Sequence, residues 1–279
     1  MRIAILLLFL TPLYGADKFS WREASDKSIE LLDDGKPVFA YNYGMILKQG
    51  VPAEWARSSY VHPLYAPNGA VLTDDFPLGH LDHRGVSWMW PVVKFDGVRR
   101  DLWYMDGIHQ EFVRWLKKDP GFLSVENAWV VEGKHVVREI VDIRAQKLKG
   151  KTRDLDFRIS LEALEKPVTL QGEPENQVGN GGFNIRFAER QHTAIRTLNS
   201  ANEPDSDLKV REYAELVGDF GDKRAGARIT IDKANPGAPN GWYLRKYGFL
   251  GVCYPGNGTH ELVPGKPLIL KYRVTVFSE

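Results

Sequence analysis

Cysteine is almost missing from this sequence: Cys253 is the only one in 279 residues, so no internal disulfide can form and the core must hold the fold. Cys253 lies in the apolar run Phe249 to Tyr254 and reads as a small buried hydrophobe rather than a nucleophile. Net charge is equally scarce. With 37 basic and 36 acidic side chains interleaved along the chain, no basic arm or stripe exists to attract nucleic acid. Long hydrophobic runs are absent as well. Ile3 to Leu10 is far shorter than the roughly 20 residues a membrane-spanning helix needs, and no later segment does better. Preceded by Arg2 and followed by Tyr14-Gly15-Ala16, that run has the shape of a secretory signal peptide. The expectation is a signal peptide over residues 1–16 and a mature chain, 17–279, forming one domain in the periplasm or outside the cell.

Helical signals are few. Ser20 and Glu23 stand at capping-box spacing, but the residues after them sustain no apolar stripe. Asp207 to Val217 is the one stretch that reads as a short helix. No strand-helix alternation appears, and Gly179-Asn180-Gly181-Gly182 leads into a strand-like Phe183 to Phe187 instead of a helix, which argues against a nucleotide cofactor. The sequence names no other cofactor.

What the chain does have is alternation. Leu155, Phe157, Ile159 and Leu161 interleave with charged residues, as do Leu268, Leu270, Tyr272, Val274 and Val276 near the C-terminus. Shorter runs at Ile29 to Leu32, Val38 to Tyr43, Val86 to Phe95, Val125 to Val131, Val136 to Ile143 and Phe249 to Tyr254 read the same way, separated by turns such as Asp33-Asp34-Gly35 and Glu132-Gly133. Half-buried antiparallel strands without helices predict an all-β protein, a large antiparallel sandwich with loops gathered at its edges.

Chemistry concentrates between Tyr60 and Trp90. This stretch holds His62, His80 and His83, three of the seven histidines, and six ionisable side chains fall between Asp74 and Arg84. Gly69 to Thr73 reads as the end of one strand and Val86 to Phe95 as the next, so the charges sit on a connection carried by a rigid scaffold. Pro77 and the neighbouring glycines argue against a helix and thus against a helical metal motif. Three readings remain open: metal ligation by the histidines with Asp75 or Asp82; proton transfer by His80 or His83 with Arg84 on the ligand; or a structural network pinning a long loop.

Aromatic residues follow this loop closely. Trp88, Trp90, Trp103, Tyr104, Trp115 and Trp129 can stack on the C–H faces of sugars, although most tryptophans of a large sandwich belong to its core. Trp242 with Arg245 reads as a second, exposed pair. His109 and Glu111, near Asp101 and Asp106, form another polar group. If loops meet, Asp75 or Asp106 would face Glu111 across a sugar, as glycoside hydrolysis requires.

The run from Ser58 to Gly85 resembles the hallmark of a family of secreted bacterial proteins labelled methane-oxygenase-like (PmoA-like). The matching residues are Tyr60, His62, Pro63, Leu64 and Tyr65, then Asp75, Phe76 and Pro77, then His80, His83, Arg84 and Gly85. Further matches are Asn235-Pro236, Trp242, Arg245, Tyr247, Gly248, Phe249 and Pro264-Gly265. The usual member carries a histidine where this chain has Asp82, and many carry one in the segment where it has Asp232-Lys233-Ala234; the first departure weakens a three-histidine metal site. The resemblance spans nearly all of the mature chain. It implies a β-sandwich similar to galactose-mutarotase and other sugar-processing supersandwich folds, and brings no established reaction.

The combined expectation is a carbohydrate-active protein performing acid/base chemistry of the glycoside hydrolase, lyase or epimerase type. His62, Asp75, His80 and His83 are the candidate catalytic residues, and Arg84, Trp88, His109, Glu111, Trp242 and Arg245 the candidate substrate contacts. A noncatalytic carbohydrate-binding sandwich and a divalent-metal hydrolase are the competing classes. The expected partner is a carbohydrate or other small molecule, with neither nucleic acid nor a membrane span involved.

Overall fold

In the computed structural model, residues 19–175 and 177–279 are described. The expected signal peptide, residues 1–16, lies outside them. The alternation seen in the sequence becomes strands throughout: β1 (Phe19–Ser25), β2 (Ser28–Asp33), β3 (Lys36–Asn42), β4 (Tyr60–Leu64), β5 (Val86–Met89), β6 (Val92–Phe95), β7 (Val98–Arg100), β8 (His109–Asp119), β9 (Phe122–Val131), β10 (Lys134–Ala145) and β11 (Thr152–Ala163). They continue as β12 (Val168–Gln171), β13 (Gly182–Arg186), β14 (Gln191–Arg196), β15 (Ser206–Val210), β16 (Tyr213–Phe220), β17 (Lys223–Ile231), β18 (Gly241–Arg245), β19 (Phe249–Cys253), β20 (Thr259–Leu262) and β21 (Leu268–Ser278). One short 3-10 turn, Ala53–Trp55, is the only helical element among the described residues, and no helix there is long and apolar enough to cross a membrane.

The strands form two large antiparallel sheets. One has nine strands in the order β1-β2-β3-β4-β5-β13-β19-β18-β15, and the other eight, β14-β16-β17-β21-β11-β10-β9-β8. A four-stranded sheet, β20-β12-β6-β7, adds to them. The apolar faces meet as a sandwich. Leu155, Phe157, Ile159 and Leu161 of β11 and Leu270, Tyr272 and Val274 of β21 point inward, where Phe183 of β13 stacks on Tyr272 with centroids 4.4 Å apart. Removing each such side chain from water contributes about 1.5–3 kcal/mol before chain entropy is counted. Hairpin β9-β10 turns at Glu132-Gly133, both with positive φ (50° and 75°), which fits a two-residue turn between twisted strands.

Two local expectations are corrected. Asp207 to Val217 is not helical: it contributes to β15 and β16, where cross-strand pairing overrides local preference, and Glu215 is buried against Arg228 at 2.6 Å. Val86 to Phe95 is not one strand. Pro91, which has no N–H to donate, interrupts it, so β5 joins the nine-stranded sheet and β6 the four-stranded one. Cys253 is buried and unpaired, and burial pushes its thiol up to about 12.

Candidate functional site

The outer face of the nine-stranded sheet carries the polar loop. In β13, Phe183 and Ile185 belong to the core, so Asn184 and Arg186 project the other way. Arg186 pairs in register with Phe249 of β19, and Phe249 with Arg245 of β18, which sets these three side chains in one row on that outer face. The loop between Thr73 and Gly85 crosses beside this row. It is closed at its base by the antiparallel bridge Asp75 to Arg84 and fixed to β13 by Asp74 N–H to Arg186 O, 3.1 Å, and Arg186 N–H to Gly85 O, 2.8 Å.

Two tight turns shape the loop, His80 N–H to Pro77 O at 3.0 Å and His83 N–H to His80 O at 2.9 Å. Phe76 has φ +55°, a left-handed conformation costly for a bulky residue, and its ring lies 3.5 Å beneath the Arg84 guanidinium. Gly85 serves close approach rather than turning: its φ is not positive, and a Cβ there would lie 2.1 Å from the carbonyl oxygen of Val61.

His80, Asp82 and His83 come together here. Their ligand atoms lie within 4.8 Å of one another, and His62 is not among them. The His80 and His83 rings are nearly parallel, 4.6 Å apart, and Tyr247 lies 5.1 Å from His80 with an interplanar angle of 14°. His83 Nε2 is 3.5 Å from an Asp82 oxygen, while its Nδ1 is buried without a hydrogen-bond partner. Phe249 and Trp103 enclose the His83 ring at 4.9 and 5.4 Å. Burial first, then the charges of His80, Arg186, Arg57 and Arg84, push the His83 imidazole down to about 2. A ring held neutral so far below working pH is poorly matched to proton transfer. His80 and Asp82 are half-buried and reachable, and burial raises the Asp82 carboxyl while His80 and the arginines oppose that rise.

Arg84 does something other than touch a ligand. It is fully buried, and its guanidinium donates to the carbonyls of Leu81 (2.5 Å), His83 (2.8 Å) and Trp55 (2.5 Å). Its Nε faces Asp75 Oδ1 at 3.3 Å, an ion pair without hydrogen-bond geometry. Asp75 also accepts the Tyr60 hydroxyl at 2.8 Å; burial lifts its carboxyl to about 6 against the pull of Arg84 and Tyr60. His62 bonds Thr73 through Nδ1 at 3.0 Å, and burial with Lys48 and Arg84 lowers it to about 4.

The remaining candidates lie elsewhere. Trp88 and Trp242 are enclosed in the core, so neither indole face meets solvent, and Trp242 is not the exposed residue expected. In the sequence its strand looks like a loop border, but its Nε1 donates to Arg211 O at 2.8 Å. Arg245 stacks on Tyr243 and bonds Asp207 at 2.6 Å, which ties β18 to β15. His109 and Glu111 pair with each other at 2.8 Å on β8, an edge strand of the other sheet. No contact joins Asp75 to Glu111 among the described residues. Arg186, Arg57 and Trp55 stand outside the sequence reading, whereas Tyr104, one of the aromatics expected to stack on sugars, has its ring 5.7 Å from that of Trp55. For Arg186 a signal exists: in the alternating strand Phe183 to Phe187 it shares the outward face with Asn184, opposite the apolar Phe183, Ile185 and Phe187.

Against known proteins, residues 28–279 match a family of unknown function (DUF6807). The chain belongs to this family. No curated protein matches it. The family's description names no activity, so chemistry has to be argued from the loop itself.

Proposed function

We propose that the protein acts on a carbohydrate, outside the cytoplasm, by proton transfer at His80 and Asp82. The observation that carries this reading is the stacking of the reachable His80 on the nearly parallel rings of Tyr247 and His83, with the Asp82 carboxyl 3.5 Å from His83 Nε2. A half-exposed imidazole beside a carboxyl raised by burial supplies a base and an acid within one site, as hydrolysis, elimination or epimerisation of a sugar each need. Tyr247 and Tyr104 are large exposed rings near that pair, and ring faces suit sugar C–H surfaces. Arg84 and His83 hold the loop. The resemblance of Tyr60 to Gly85 to the PmoA-like proteins, and through them to mutarotase-like sandwiches, supports the sugar as substrate class; the apolar run Ile3 to Leu10 supports secretion.

The test is a thermal-shift panel of neutral and acidic sugars followed by turnover assays on any class that binds. A ligand at about a hundred times its Kd adds ~2.7 kcal/mol, enough for a clear shift. Turnover lost in His80→Ala and Asp82→Asn supports catalysis. Turnover absent from the wild type, with sugar affinity intact, would leave a noncatalytic binding sandwich.

One observation favours a second reading. Two imidazoles and a carboxylate with ligand atoms within 4.8 Å can hold a divalent cation, and zinc accepts this donor set with water in an open position. A stoichiometric copurifying metal, lost in His80→Ala, would put the metal hydrolase first.

A further inference from the structure

Arg186 differs from the other arginines around the loop in what its guanidinium does. Arg84 gives its N–H groups to three carbonyls, Arg190 to Ala188 O and Lys246 O, and Arg245 to carbonyls and Asp207. Arg57 donates through Nη2 to the carbonyls of Leu102 and Trp103, and although its Nε and Nη1 are also unpartnered, it is enclosed at 3% exposure. The Arg186 side chain makes no hydrogen bond and no ion pair among the described residues. It is nevertheless only 9% exposed, with Nε and Nη1 buried and unpartnered. Leaving a buried guanidinium unsatisfied is costly, and the cost is removed when an anion meets it.

Its position points to the substrate. Arg186 Cζ lies 4.9 Å from the centroid of the Tyr247 ring, and that ring lies 5.1 Å from His80. Its strand neighbour Phe249 packs on His83. Asp74 and Asp82 act on it only through space, and Tyr247, 42% exposed, leaves part of its ring for a ligand. The guanidinium fork matches a carboxylate in two parallel hydrogen bonds, whereas a neutral hydroxymethyl group cannot use it that way.

We propose that Arg186 anchors a carboxylate of the substrate, so that the sugar handled at His80 and Asp82 is an acidic one such as a uronate. The inference rests on the carbohydrate reading above. It adds a substrate class and assigns specificity to a residue outside the loop.

The experiment measures binding of galacturonate, glucuronate and their oligosaccharides beside galactose, glucose and the matching neutral oligosaccharides, by calorimetry and thermal shift. The methyl ester of each uronate removes the charge from the ligand side without touching the protein. Free acids are expected to bind roughly 10–100-fold more tightly than esters or neutral sugars, the size of a charged hydrogen-bond contribution. Arg186→Gln should erase that ratio while sparing neutral-sugar affinity, and Arg186→Lys should restore part of it. Equal binding of acid, ester and neutral sugar overturns the Arg186 assignment and leaves the carbohydrate reading standing. Discrimination retained in Arg186→Gln overturns it too. Binding of no sugar overturns both readings. If Arg186→Gln fails to fold, the acid-to-ester ratio on the wild type still decides.

Discussion

The indole Nε1 of Trp88, on the nine-stranded sheet, donates to Oε2 of Glu139, on the eight-stranded sheet, at 2.9 Å. The same oxygen accepts Trp129 Nε1 at 2.8 Å and Gln110 Nε2 at 3.0 Å, and Oε1 accepts Asn127 Nδ2 at 2.8 Å. Glu139 is fully buried; burial pushes its carboxyl up and these four donors pull it back down. Trp88 is therefore spent on joining the two sheets, which is why it cannot serve as a sugar platform.

Glu139→Ala is expected to strand two indole N–H groups and the Gln110 amide in the core, and to leave Asn127 Nδ2 only its bond to the Tyr41 hydroxyl. The loss should be about 3–5 kcal/mol, the usual consequence of breaking a buried charged network. For a chain of this size that is roughly a 10 °C fall in Tm. Chemical denaturation with an unchanged m-value checks it, and a loss below about 1 kcal/mol would mean that the network contributes little.

Gly85→Ala should be worse tolerated than Gly79→Ala. The first inserts a Cβ 2.1 Å from Val61 O and 2.9 Å from His62 Cβ, whereas the second meets open space at φ +83°. Overpacking of this kind costs about 1–3 kcal/mol or more, against about 1 kcal/mol for strain at a positive-φ turn. Denaturation midpoints of the two variants in one buffer give the comparison; the reverse order would refute the close-approach account.

His62 contributes a definite pH dependence. Its folded value is near 4, below the ordinary 6.5, because of burial and then Lys48 and Arg84. The unfolded chain takes up this proton first as pH falls, so the contribution is complete above pH 6.5 and lost as pH drops through 4. Its size is about 2 kcal/mol, reduced from full linkage because the ring is only partly buried. Asp75, raised to about 6, works with the opposite sign between 3.8 and 6, which makes the variant difference the informative quantity. Subtracting the His62→Gln stability curve from that of the wild type between pH 7 and pH 4 should leave a falling difference. A flat one would show that His62 titrates normally in the folded protein.

His80→Ala should leave the fold intact, since the ring is half-buried and its stacking is worth about 1 kcal/mol. On the sugar class that binds, kcat should drop about 10²–10⁴-fold with KM little changed. His83→Ala should differ in kind, losing stability as well, because that ring fills space between Phe249 and Trp103. Equal turnover in His80→Ala and wild type would remove His80 from the chemistry.

Much of the fold is legible along the chain. Leu155 to Leu161 and Leu268 to Val276 alternate because one face of each strand meets the core and the other meets water, and that period survives without knowledge of partners. Glu132-Gly133 announces a hairpin through local backbone preference alone. Asp207 to Val217 departs from its local pattern for the complementary reason: β15 and β16 are strands because β18 and β17 pair with them.

By itself, then, the sequence determined an all-β chain without disulfides and a loop at Asp74 to Arg84 dense in ionisable groups, since composition, alternation and turn residues are local properties. Only the tertiary structure decided which of those groups lie free. It enclosed Trp88 and Trp242, committed Arg84 to the carbonyls of Leu81, His83 and Trp55, and brought Tyr247 beside His80 and Arg186 beside Tyr247. Burial and partnership depend on residues a hundred positions away, and a charge is available for chemistry only when no neighbour in space has already taken it.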